Sequence, residues 1–119
     1  MIPDGLAEII QSNGNIAAIR KDRVNMRAWY YQLEDRTVAY AELNGEHGQR
    51  VVGDKGRVYF IISGEGEFTV NNTPLAVHQG SVIPIPARAT YNFHSMGPAE
   101  LTFVVFLDEK LNLDAIPSK

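Results

Sequence analysis

The chain has no cysteine, which excludes a disulfide framework, a thiol nucleophile and a cysteine-ligated zinc site. It has no apolar run near the roughly 20 residues of a membrane-spanning helix. Its first residues, MIPDGLAEIIQSN, lack the basic start and long apolar core of a secretory leader. These absences point to a cytoplasmic protein with no membrane partner. An excess of basic charge is also missing. Eleven Lys and Arg face fourteen Asp and Glu, a net charge of −3, so there is no basic face of the kind a nucleic-acid module needs. The short cluster Arg20-Lys21-Asp22-Arg23 is broken by an acid and reads as a solvated loop. Neither a Ser-His-Asp set, a phosphate loop nor a pair of inward carboxylates is evident, which disfavours hydrolase, kinase and glycosidase chemistry.

What is there is the rhythm of short strands. The 119 residues suffice for one domain with its own core, spanning 1–119. A short helix is expected over Asp4–Gln11, with Asp4 as its cap and Leu6, Ile9 and Ile10 on one face. Arg27–Leu33 and Thr37–Leu43 read as two strands around the Glu34-Asp35-Arg36 turn. In the second, Val38, Tyr40 and Glu42 share one face, and Ala39, Ala41 and Leu43 the other. A glycine-rich loop runs from Asn44 to Gly56. Val58–Ile62 is a continuous apolar run, the pattern of a strand covered on both faces. Glu67–Val70 and Pro74–Val77 form a hairpin over Asn71-Asn72-Thr73. Val82–Ile85 carries Pro84, which removes a ladder donor and marks an edge. Ala89–His94 and Leu101–Phe106 follow, and the tail after Leu107 fits a last half-buried helical turn or a segment packed on a neighbouring subunit. So many short strands with regular turns make a sandwich or a closed barrel.

The glycines and prolines of 45–95 decide between these. Gly45 is followed by five residues, Val51, one residue, Gly53, three residues, Arg57, six residues and Gly64. Fifteen residues later Gly80 opens a second motif, with Pro86 five residues on and Arg88, Tyr91 and Ser95 behind it. This spacing resembles the two motifs of the cupin family, G-x5-H-x-H-x3/4-E-x6-G and G-x5-P-x-G-x2-H-x3-N. The resemblance implies an all-β fold, a cupin-type jelly-roll β-barrel with a short N-terminal helix. The barrel core falls at about 27–107. In metal-bearing cupins three histidines and one carboxylate or amide converge on a divalent ion. Here the matching positions hold Val51, Gly53, Arg57 and Tyr91, or Arg50 and Val52 on the longer spacing. Valine and glycine offer no donor atom and arginine is a permanent cation, so no metal and no cofactor are expected. His47, His78 and His94 lack the i, i+2 spacing that would rebuild a three-histidine site on a strand.

If Arg57 faces inward, alternation sends Tyr59 and Ile61 with it. By the same step Tyr91 brings Phe93 inward and leaves His94 outside or at the rim. The expected ligand-binding set is Arg57, Tyr59, Tyr91 and Phe93, with Trp29, Tyr40 and Glu42 as further walls. Arg57 then either pairs with an acid such as Glu42 or a loop carboxylate, or grips a ligand's anionic group in bidentate fashion. The first function this suggests is a metal-independent cupin that binds a small anionic or aromatic organic molecule. The alternative is a metal-free isomerase-, epimerase- or cyclase-like enzyme. It would use Tyr91 and His94 as catalytic acid–base groups and Arg57 to steady an oxyanion. A third is a structural or interaction protein with a filled barrel. The resemblance also implies a homodimer, paired through edge strands and terminal segments.

Overall fold

The computed structural model describes residues 18–115, so the helix expected over Asp4–Gln11 lies outside the described residues. Ten strands follow in order. They are β1 (Ile19–Arg20), β2 (Met26–Gln32), β3 (Thr37–Leu43), β4 (Arg50–Val51), β5 (Arg57–Ser63), β6 (Glu65–Val70), β7 (Thr73–Val77), β8 (Val82–Ile85), β9 (Thr90–Met96) and β10 (Leu101–Leu107). One sheet has the order β1-β2-β3-β10-β5-β8 and the other β4-β9-β6-β7. The two sheets face each other as a jelly roll.

Side-chain alternation decides what lies between them. Along β3, Ala39, Ala41 and Leu43 turn inward and are buried, while Val38 and Glu42 point outward. In the register of β2 on β3, Ala28 lies opposite Ala41 and Trp29 opposite Tyr40. Residues opposite one another share a face, so the alanines line the interior and the two aromatics the exterior. Inside, Phe68 and Phe93 stack face to face with centroids 4.2 Å apart, and Tyr59 and Phe103 pack around them. A second, smaller cluster of Tyr40, Ile62 and Val104 with Trp29 and Val38 covers part of the outer face.

Two strand expectations need different outcomes. β8 with its Pro84 is indeed an edge strand, and β7 with Pro74 closes the other sheet. β5 is covered on both faces only in part: Tyr59 and Ile61 are buried inside and Ile62 is buried outside, but Phe60 on the outer face is 40 % exposed. The continuous apolar run arises because the outer face carries hydrophobic residues too. The 44–56 loop is anchored to the sheet, since β4 pairs Arg50 with Tyr91 and Val51 with Thr90. After β10 the chain turns back over its own barrel, and the described residues close with a 3-10 turn, Leu113–Ala115. Thr37 Oγ1 donates to the Glu109 carbonyl at 3.0 Å and accepts from the Leu111 amide at 3.1 Å. Gln32 Nε2 donates to the Leu111 carbonyl at 2.5 Å. These bonds hold Leu111 against the open end of the barrel.

Candidate functional site

The space under that tail is a cavity of about 190 Å³. It exists because three of the inward positions facing it, Ala28, Ala39 and Ala41, carry only a methyl group. Arg57 and Tyr59 reach it from β5, Tyr91 from β9 and Arg50 from β4. Arg23 and His47 come from loops. A wider groove of about 780 Å³ crosses the neighbouring ends of β3, β10, β5 and β8 and shares Arg57 and Leu107 with the cavity. The converging polar groups are in the inner space, which makes it the candidate site.

At its centre Arg57 Nη1 donates to the Tyr91 hydroxyl at 3.2 Å, and the Tyr91 and Tyr59 hydroxyls share a hydrogen bond of 2.7 Å. Arg57 Nη2 lies 3.6 Å from a Glu109 carboxylate oxygen. Its Nε is buried without a hydrogen-bond partner. Burial opposes the charge on Arg57, but the Tyr91 and Tyr59 oxygens and Glu109 outweigh it and raise its proton affinity. Burial drives the Tyr59 hydroxyl well above the ordinary phenol range, helped by Tyr91, so it stays a neutral hydrogen-bonding group.

His47 is the second polar element. Its ring stacks on Phe93 at 4.3 Å and on Tyr91 at 6.0 Å. Nδ1 is 2.9 Å from the Gly48 carbonyl, so in the neutral tautomer that satisfies this contact Nδ1–H donates and Nε2 keeps its lone pair. Burial, reinforced by Arg50, Arg23 and Arg57, lowers its pKa to about 4. The imidazole is therefore an unprotonated base at neutral pH.

The structure brings Arg57, Tyr59, Tyr91 and Phe93 together in the barrel interior, with Phe93 forming the floor beneath His47. It does not bring Trp29, Tyr40 or Glu42 there. Because the alanines of β2 and β3 take the inward positions, these three fall on the outer face. Glu42 binds Arg27 Nε at 2.9 Å and the Tyr40 hydroxyl at 2.7 Å, and so is not the partner of Arg57. Arg20 lies over the Trp29 ring at 4.4 Å. His94 also points away, since it alternates with the buried Phe93 on β9. The imidazole that lines the cavity is that of His47 instead. Arg23 is a further correction: within the basic cluster expected to be solvated, it lines the cavity.

The register of β4 settles which spacing of the first motif faces inward. Val51 is 69 % exposed, whereas Arg50 lies opposite the buried Tyr91 and Val52 is buried. The inward set at the cupin metal positions is thus Arg50, Val52, Arg57 and Tyr91. Two guanidiniums and an aliphatic side chain do not fit a divalent cation. Among the described residues, no group of three His, Cys, Asp or Glu side chains is placed to hold a metal ion.

Signals for the missed residues were faint. Arg50 was marked only by the longer motif spacing, and Arg23 and His47 sit on irregular backbone where alternation gives no direction.

A comparison with curated proteins found no match. Among solved structures the chain resembles a predicted oxalate decarboxylase from Thermotoga maritima, with 18 % identity, a TM-score of 0.68, and 80 % of this chain and 94 % of that one covered. It resembles a Streptomyces nucleoside dehydratase at 16 % identity and a TM-score of 0.71, covering 82 % and 80 % of the two chains. An RmlC-like cupin from Shewanella frigidimarina aligns at 11 % identity and a TM-score of 0.70, over 83 % and 89 %. At such identities the likeness speaks to the fold. The sequence profile of the cupin domain matches residues 45–106, which is more than half of the chain and contains both glycine–proline motifs. With that match and the jelly roll in agreement, the chain belongs to the cupin family.

Proposed function

We propose that this cupin binds a small organic anion in its barrel cavity without the help of a metal. The observation that carries the reading is the state of Arg57. A buried guanidinium normally spends its donors on fixed partners. Arg57 gives one to Tyr91, holds one carboxylate at 3.6 Å, and leaves a buried Nε with none. An incoming carboxylate, phosphate or enolate oxygen would add an acceptor where the guanidinium lines the cavity. Such charge-assisted bonds are short and strong. The pairing with a loop acid expected from the sequence is present as Glu109, yet it does not exhaust the group. The test is calorimetric titration with small carboxylates and phosphates on metal-free protein. Binding that survives a chelator and drops at least tenfold in Arg57→Gln supports the reading. Failure of every anion to bind, or an obligatory divalent ion, overturns it.

His47 favours a second reading in which the bound anion is also processed. A neutral imidazole with an unengaged Nε2 can take a proton from a carbon next to a carbonyl. The C–H electron pair then becomes the new C=C bond, the carbonyl π pair moves onto oxygen, and Arg57 steadies the enolate formed. Return of the proton at another carbon or on the other face completes an isomerisation. Two tyrosine-to-phenylalanine forms of a nucleoside dehydratase with the same fold are known with uridine, so a barrel of this kind can accept a small organic ligand. Here the measurement is deuterium uptake at the acidic carbon of bound keto acids in heavy water, by proton NMR. Uptake that vanishes in His47→Gln supports base catalysis. Equal uptake in that variant sinks it and leaves the binding reading intact.

A further inference from the structure

We propose that the cavity is specific for a compact dianion, held between Arg57, Arg50 and Arg23. This rests on the reading that the cavity binds an anion, and adds the number of charges and the size of the skeleton that carries them. Three guanidiniums from three separate segments meet on one space of about 190 Å³. Arg57 comes from β5 and Arg50 from β4, directly opposite Tyr91, while Arg23 comes from the turn before β2.

Opposing charge is scarce. Glu109 is near Arg57, and none of the ion pairs among the described residues includes Arg50 or Arg23. Arg50 gives Nη1 to the neighbouring Gln49 carbonyl at 3.0 Å, which satisfies one donor but no charge. The two tyrosines at the centre are hydrogen-bonded to one another, and the His47 imidazole is neutral. With Glu109 set against one guanidinium, Arg50 and Arg23 have no ion-pair partner among the described residues. Burial, and to a lesser extent the nearby Arg50, lower the proton affinity of Arg23. Like charges drawn into one partly dry space repel unless an anion lies between them. Two of the four positions that in metal-bearing cupins would surround a cation, Arg50 and Arg57, are themselves cationic here, so the attraction for a negatively charged ligand is built into the chain.

The space limits the skeleton. An apolar cavity of about 150 Å³ accommodates benzene. A cavity of about 190 Å³ therefore takes a single ring or a short chain, on the order of ten non-hydrogen atoms. Its alanine wall offers no donor to a polar middle. A short dicarboxylate, or a small phosphate monoester, has the matching chemistry: charged oxygens for the guanidiniums and little else.

The test compares matched probes by calorimetry at one ionic strength: succinate against butyrate, and methyl phosphate against dimethyl phosphate. A dianion should bind at least tenfold more tightly than its monoanionic partner. The carboxylate and phosphate arms identify which oxygen geometry is preferred. In Arg50→Gln the dianion-to-monoanion ratio should collapse toward one. Arg50→Lys, which keeps the charge, should hold most of it, and Arg36→Gln on the outside should not alter it. Circular dichroism melting confirms that each variant is folded. Monoanions binding as tightly as dianions would overturn the proposal and leave the simpler anion site standing. An unchanged ratio in both Arg50→Gln and Arg23→Gln would also overturn it. Failure of every probe would remove both.

Discussion

His47 shows at the level of a single side chain how the site's charge reaches its chemistry. The imidazole is packed on Phe93 and Tyr91 with Arg23, Arg50 and Arg57 around the same space, and Tyr59 and Tyr30 are the other ionisable groups lining it. Every one of these cations disfavours a proton on the ring, and burial does so most. In the unfolded chain the ring protonates near 6.5, in the folded chain near 4. The unfolded state therefore binds more protons between those values, and stability is lost as pH falls through that window. The loss from this residue is at most about 3 kcal/mol. We expect His47→Gln to flatten the stability profile between pH 6.5 and 4 relative to the parent, in urea unfolding monitored by fluorescence. A parallel profile in parent and variant would show that the carboxylates alone govern the acid limb. The resonances of His47 should likewise stay neutral to below pH 5 when followed by NMR.

The same contrast between direction and context appears one level up, in the strands. Alternation correctly paired Tyr59 and Ile61 with Arg57, and Phe93 with Tyr91, because a strand gives each residue a face once one is known. The absolute face of β2 and β3 was not legible. Trp29, Tyr40 and Glu42 look as suitable for a pocket wall as Ala28, Ala39 and Ala41, and only the pairing with β10 and the opposing sheet decides that the alanines go inside. Arg23, His47 and Arg50 lie in or beside irregular loops, where no period exists to read. Turns were more legible. Asn71 and Asn72 both take positive φ, at 47° and 68°, as the hairpin reading of that pair requires. Gly64, between β5 and β6, has φ +88°, and a Cβ there would collide with the Glu100 carbonyl oxygen. Gly80 has a similar φ of +91° but open space around it. Both Gly64→Ala and Gly80→Ala should lose about 1–2 kcal/mol through the backbone conformation. Gly64→Ala must in addition push β10's entry away from β5, so it should lose at least about 2 kcal/mol more. Equal melting points for the two variants would mean that the β5–β6 corner yields freely.

At the scale of the whole molecule the outer face of the larger sheet is the unfinished part. Phe60 is 40 %, Phe106 50 % and Val82 60 % exposed. The registers place them side by side, with Phe60 opposite Val82 and Phe106 opposite Val58, which itself lies opposite Pro84. Contiguous apolar surface of this kind is costly to leave in water and characteristic of contact surfaces. It borders β8, whose free edge carries Pro84. Pairing of two chains would cover both the strip and the edge, and a two-fold arrangement lets one patch serve both copies. The expected outcome in light scattering is therefore a species of twice the 13.2 kDa chain mass, and Phe106→Lys should shift it to the single mass while leaving the cavity's anion binding unchanged. The substitution sits outside the barrel core, so circular dichroism should stay that of the parent. A parent protein that runs at the chain mass across micromolar to millimolar concentration would show that this strip is tolerated bare. Loss of anion binding together with dimerisation would instead tie the cavity to the interface, through the groove across the ends of β3, β10, β5 and β8 that shares Arg57 with it.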